Sequence, residues 1–122
     1  MGYRDLFVFR RAYALAIEIF KLSKSFPHEE RFALTDQLRR SSRSVAANIA
    51  EGFRRAAYSR AFAQRITDAD AEATETQVWI DFAADCGYLT THKADELRLG
   101  YEEVGKILGT VLKDPGRYKP RV

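Results

Sequence analysis

Apolar residues recur at three- and four-residue steps through most of the chain, the period of helices packed on one side. Between Leu34 and Gly52 the pattern is doubled. Leu34, Leu38, Ser42, Val45 and Ile49 form an apolar stripe, while Gln37, Arg40, Ser44, Asn48 and Glu51 form a polar one about 100° around the same helix. Polar groups set so close to a core need partners, which a neighbouring helix can supply.

Four helical segments follow from the same spacing. In the first, Asp5 serves as N-cap or first-turn acid, Leu6, Phe9, Tyr13, Ala16 and Phe20 mark the buried face with Ile17 adjoining it, and the end falls near Ser25. Phe26 and Pro27 interrupt the pattern, and His28, Glu29 and Glu30 suit a helix N-terminus. The second helix starts there or at Thr35, whose hydroxyl can cap it, runs to Glu51 and stops at Gly52. The third, from about Tyr58 to Cys86, carries the clearest seam: Phe62, Ile66, Ala69, Ala73, Thr76, Ile80 and Ala83. Trp79, Phe82 and Cys86 widen its apolar face at one end and leave a surplus of aromatic surface. Gly87 closes this helix, Thr90 or Thr91 caps the fourth, and Leu97, Tyr101, Val104, Leu108 and Val111 line it to about Lys113. Short connections make successive helices antiparallel neighbours, so the expected fold is an all-α, up-and-down four-helix bundle over residues 1–113. Residues 114–122 form a basic, aperiodic C-terminal tail.

Composition adds limits. A chain of 122 residues, 46% of them hydrophobic, is long enough to bury a core without disulfide or metal. No apolar run reaches membrane-spanning length, which points to the cytoplasm. The single cysteine, Cys86, excludes an internal disulfide and reads as a small buried hydrophobe beside Phe82 and Ala83. His28 and His92 lie far apart, with no Glu-x-x-His pair, and no histidine neighbours Ser41, Ser42 or Ser44. No metal site, cofactor or enzymatic activity is therefore expected. Gly100, Gly105 and Gly109 fall inside the fourth helix, where they permit close packing instead of forming a phosphate loop.

Charge is unevenly distributed. Residues 31–65 carry eight arginines and no lysine against two acids, whereas residues 66–103 carry ten acids against two bases. The arginine block can meet the acidic block, within a chain or between copies, or it can meet phosphate.

The succession Asp5-Leu6, Phe26-Pro27 with Glu30, Leu34-Thr35, Gln37-Leu38-Arg39-Arg40, Ser44, Asn48-Ile49-Ala50-Glu51-Gly52 and Gly87-Tyr88-Leu89 resembles the four-helix-bundle family of proteins encoded in intervening sequences of 23S ribosomal RNA. QLRR followed by S-x-x-x-NIAEG is its most specific part. The resemblance implies a left-handed antiparallel bundle that assembles as a homopentamer. It extends to the accessory variability protein of diversity-generating retroelements, a basic pentamer that works with nucleic acid and a reverse transcriptase, and for most of the family it implies no defined activity. One departure lies in the third helix: the family's glycine-serine pair and glutamate-leucine-glutamate-threonine-glutamine run are replaced by Ala69-Asp70 and Ala73-Thr74-Glu75-Thr76-Gln77, which removes one of two usual glutamates.

Two readings of the polar stripe compete. Arg40, Asn48, Glu51 and Glu75 can form a small anion-binding, proton-moving site, or Gln37, Arg40, Ser44, Asn48, Glu51 and Glu75 can form a structural network that fixes helix pairing. The absence of a nucleophile or ligand set favours the network. For the whole chain, a ring-forming nucleic-acid binder would contact RNA or DNA backbone through Arg39, Arg43, Arg54, Arg55 and Arg60 with the tail's Arg117, Lys119 and Arg121. Tyr58 and Tyr118 lie among these cations and can stack on bases, although packing is the expected fate of Tyr58. The alternative is a scaffold for a protein partner that uses its charge blocks for self-assembly.

Overall fold

Phe62, Ile66, Ala69, Ala73, Thr76, Ile80 and Ala83 are all buried along one side of a long helix, Ser59–Asp85, and the other helices assemble against that seam. The computed structural model describes residues 2–114. Within them, the α-helices are α1 (Phe7–Ser23), α2 (Leu34–Arg54), α3 (Ser59–Asp85) and α4 (Thr91–Lys113), with 3-10 turns at Tyr3–Asp5 and His28–Glu30. No strand occurs among the described residues.

Each helix packs on two others: α1 on α2 and α4, and α3 on α2 and α4. Cross-helix pairs fix the directions. Arg11 in the first half of α1 meets Glu103 midway along α4, and Glu18 farther along α1 meets Lys93 at the start of α4. Ser41 of α2 meets Thr76 of α3, while Glu51 meets Arg65. Asp81 of α3 meets Arg98 of α4. Neighbours are thus antiparallel throughout, and the chain is an up-and-down four-helix bundle. Burial of the α2 stripe (Leu34, Leu38, Ser42, Val45, Ile49) and of Leu97, Tyr101, Val104, Leu108 and Val111 on α4 supplies the rest of the core.

The α3–α4 junction forms as its residue types dictate. Gly87 takes φ 80°, Tyr88 N–H donates to Ala83 O at 2.8 Å, and Gly87 N–H donates to Ala84 O at 3.0 Å, a glycine-closed helix end. Thr90 Oγ1 accepts from Lys93 N–H at 3.1 Å, capping α4.

Elsewhere the structure departs from the sequence reading. The buried face of α1 is Val8, Ala12, Leu15, Ala16 and Ile19, not the aromatic stripe, for Tyr13 is 55% and Ile17 40% exposed. Asp5 belongs to the 3-10 turn, where its carboxylate accepts from Gly2 N–H, and α1 ends at Ser23. Thr35 lies inside α2, buried and uncapping, with Ala33 at the N-cap position. Leu34 N–H donates instead to Glu30 Oε1, at 3.4 Å. Gly52 does not end α2, which runs on to Arg54; a Cβ at Gly52 would stand 2.9 Å from Ile66 Cδ1, so the glycine serves to let α3 approach. Of the three α4 glycines only Gly100 serves close packing. Cys86 and Phe82 are exposed, so the cysteine is not a core residue.

Candidate nucleic-acid interface

The polar stripe of α2 runs along the α2–α3 seam and finds its partners on α3. Asn48 Nδ2 donates to Ser44 Oγ at 3.1 Å and to Ser44 O at 3.0 Å. Arg65 Nη1 donates to Asn48 Oδ1 at 3.4 Å, and its Nε lies 3.2 Å from Glu51 Oε2. Arg65 is therefore the hub of this group, although its place among the solvated charges of α3 gave the sequence reading no cue. Farther along the seam Arg40 faces Glu72, whose side chain bonds to Glu75. Burial, followed by the hydrogen bond and charge of Glu75, holds the Glu72 carboxyl above the ordinary carboxylate range, and Arg40 opposes the rise. Glu72 is the second carboxylate that the sequence reading missed, one position from the substituted Ala73. Gln37 sits beyond this pair, beside Trp79 and Phe82.

These groups occupy successive levels of the seam and do not converge on one point. Arg40 and Glu51 are about 16 Å apart along α2. In the core beside them Thr76 Oγ1 donates to Ser41 Oγ at 2.9 Å. Tyr101 is fully buried near Ser42; burial raises its phenol well above the ordinary value, with Arg11 and the Ser42 hydroxyl pulling the other way. Such an arrangement reads the register between two helices, since a slip would strand several half-buried polar groups at about 1–3 kcal/mol each.

The arginines of residues 31–65 separate into distinct settings. Arg39 is held by Ser23 Oγ at 2.8 Å and lies over the Phe20 ring at 4.8 Å, with Arg43 over the same ring at 5.7 Å. Arg31 covers Phe32 at 4.7 Å. Arg65 is ion-paired, and Arg40 faces Glu72. Arg54, Arg55 and Arg60, at the tip where α2 passes into α3, form no ion pair among the described residues. Arg55 and Arg60 flank Tyr58, which is 71% exposed and not packed as expected. Arg55, Tyr58, Ser59, Arg60, Ala61 and Gln64 line a shallow depression of about 830 Å³ at this tip, and the N-terminal, positive end of α3 opens onto it. Arg43 and Arg54 are about 16 Å apart on α2, so the structure divides the expected cationic surface into an aromatic-covered half and an open tip. Arg117, Lys119, Arg121 and Tyr118 lie outside the described residues.

A second surface is apolar. Tyr3, Phe9, Tyr13, Ile17 and Phe20 of the N-terminal segment and α1 face Ala46, Ala47 and Ala50 of α2 across a groove of about 570 Å³, with Arg43 at its edge. The small α2 residues leave room above them, and the aromatic residues wall it. No group of three or more histidine, cysteine or acidic residues is placed to hold a metal among the described residues, and none of their helices is long and apolar enough to cross a membrane.

The model of the 23S rRNA-intervening sequence protein family matches residues 4–110. The fold is similar to the crystal structure of a protein of unknown function from the S23 ribosomal protein family of Bacteroides thetaiotaomicron, at a TM-score of 0.78 and 27% identity, covering 87% of this chain and 95% of that one. No curated protein matches the chain. With nearly its whole helical length matched, this chain belongs to the 23S rRNA-intervening sequence protein family.

Proposed function

We propose that this protein is a non-enzymatic, cytoplasmic, homo-oligomeric four-helix bundle, a pentamer, that binds the nucleic-acid backbone through its arginine-rich tip. The observation that carries the reading is the contrast among the arginines. The other arginines of the block are spent on carboxylates, a hydroxyl or the chain's own rings, while Arg54, Arg55 and Arg60 keep their guanidinium groups open to solvent. Planar guanidinium forks suit phosphate oxygens, and symmetry repeats the tip around a ring. Assembly is supported by the aromatic groove on α1 and α2 and by exposed Phe82 beside Trp79, apolar surface beyond what a lone bundle needs. The pentameric number follows the family resemblance.

The test is a gel shift with labelled RNA and DNA over a salt series, using protein whose size is set by light scattering. Binding at low salt that falls steeply as salt rises is expected. Changing Arg54 and Arg55 to Glu should weaken it without changing oligomer size. No binding at low salt by the intact oligomer would favour the second reading, a scaffold for a protein partner. That alternative draws on the aromatic groove and on exposed acids such as Asp85 and Glu102, to which an adjacent subunit's arginines can dock.

A further inference from the structure

We propose that the α2–α3 tip selects single-stranded nucleic acid, with one unpaired base stacked on Tyr58 and Arg55 and Arg60 on the flanking phosphates. The inference rests on the backbone-binding reading above and adds the strand state that the site accepts.

Tyr58 breaks two local rules at once. It stands at the N-cap of α3, where it makes no side-chain capping bond, while Ser59, a residue type that caps well, comes one position too late. Its ring is 71% exposed. Neither feature is compensated among the described residues, and uncompensated departures of this kind concentrate at functional positions. The other arginine-rich surfaces differ. The rings of Phe20, Phe32 and Tyr3 are each covered by a cation of the same chain. Among the described residues no ring and no cation covers Tyr58, although Arg55 and Arg60 flank it. Ala61 keeps the space beside the ring clear. Gln64, one turn farther on, donates its amide to Asp68 at 2.9 Å and keeps its carbonyl oxygen for a base edge.

The shape of the tip decides against a duplex. Paired bases are stacked inside the double helix and are read by an element inserted into a groove. Here both helices end at the tip, so neither projects from it, and a single ring on a short turn reaches only a base whose face is already free. Stacking on an exposed aromatic ring between cations is sequence-tolerant, because every base has a face to offer.

Fluorescence anisotropy on the full chain tests this, with labelled oligouridine and oligothymidine of about a dozen nucleotides and a duplex of the same length. The single strands should bind more tightly than the duplex. Tyr58→Ala should weaken single-strand binding roughly tenfold, leaving duplex binding, the salt slope and oligomer size unchanged, and Tyr58→Phe should retain wild-type affinity. Equal affinity for both forms, or a Tyr58→Ala protein that binds single strands as well as wild type, would overturn the inference and leave the backbone reading standing. Displacement of the single strand by polyglutamate as readily from wild type as from Tyr58→Ala would mark a general polyanion surface and overturn it likewise. Failure of every probe to bind wild type at low salt would overturn both.

Discussion

Gly100 and Gly109 sit on the same helix under opposite constraints. A Cβ at Gly100 would stand 2.6 Å from Leu15 Cδ2 and 3.0 Å from Arg11 Nη2, while at Gly109 nothing lies within 4 Å. Leu15 is 2% exposed and has no room to retreat. Alanine gains about 1 kcal/mol of helix propensity over glycine at either position. At Gly100 overpacking outweighs that gain, so Gly100→Ala should destabilise the protein by about 1–3 kcal/mol. Gly109→Ala should stabilise it by up to about 1 kcal/mol. Urea unfolding at one fixed protein concentration checks both signs, since the stability of an oligomer depends on concentration. In the sequence the two glycines look alike. Only the partner across the helix interface tells them apart, which is also why Gly52 reads as a stop and acts as a contact.

At the level of elements, α2, α3 and α4 were legible because each has a single apolar seam whose period names its buried side. The first helix has two. Its aliphatic stripe, Val8, Ala12, Leu15 and Ile19, faces the core, and its aromatic stripe, about 100° away, does not. Periodicity cannot say which of two apolar stripes meets its own bundle, and here the larger side chains lie on the stripe that does not. The polar seam was legible on α2 for the opposite reason: amide, hydroxyl and carboxylate at helical spacing stand out, whereas Arg65 and Glu72 look like ordinary solvated charges until α3 is laid against α2. Connections between elements have their own chemistry. Tyr88 Oη donates to Glu30 Oε2 at 2.8 Å, tying the α1–α2 turn to the α3–α4 turn. That bond, ahead of desolvation and the Glu30 charge, raises the Tyr88 phenol from 10.0 to about 12. Because the folded state holds this proton more tightly than the unfolded one, the contribution is whole below pH 10 and is lost as pH rises through about 12. In an ultraviolet titration the tyrosine step near pH 12 should therefore disappear in Tyr88→Phe and move back towards pH 10 in Glu30→Gln. An unmoved titration in Glu30→Gln would show that the bond is not what holds the proton.

For the whole molecule the two unspent surfaces lie on the same half of the bundle. Because α1 and α2 are antiparallel, the N-terminal end of the aromatic groove, with Tyr3 and Ala50, lies near the C-terminal end of α2, where Arg54 and Arg55 begin the tip. An assembly built through the groove would hold the tips at fixed spacing, and each tip alone offers only a few phosphate contacts. Affinity for a long strand should then depend on assembly far more than on any one arginine, since a second contact on the same strand is made at high effective concentration. Ile17→Asp, at a residue 40% exposed and lining the groove, tests the link. A charge there costs the core nothing, because the buried side of α1 is the other stripe, so helicity by circular dichroism should be unchanged. Light scattering should report a smaller species. Affinity for a strand long enough to span several tips should fall by about 100-fold, whereas affinity for a short oligonucleotide that fits one tip should stay within about twofold. If Ile17→Asp keeps the wild-type mass, the groove is not the assembly surface; if it dissociates yet binds long strands as before, the tips act singly and multivalency has no part in recognition.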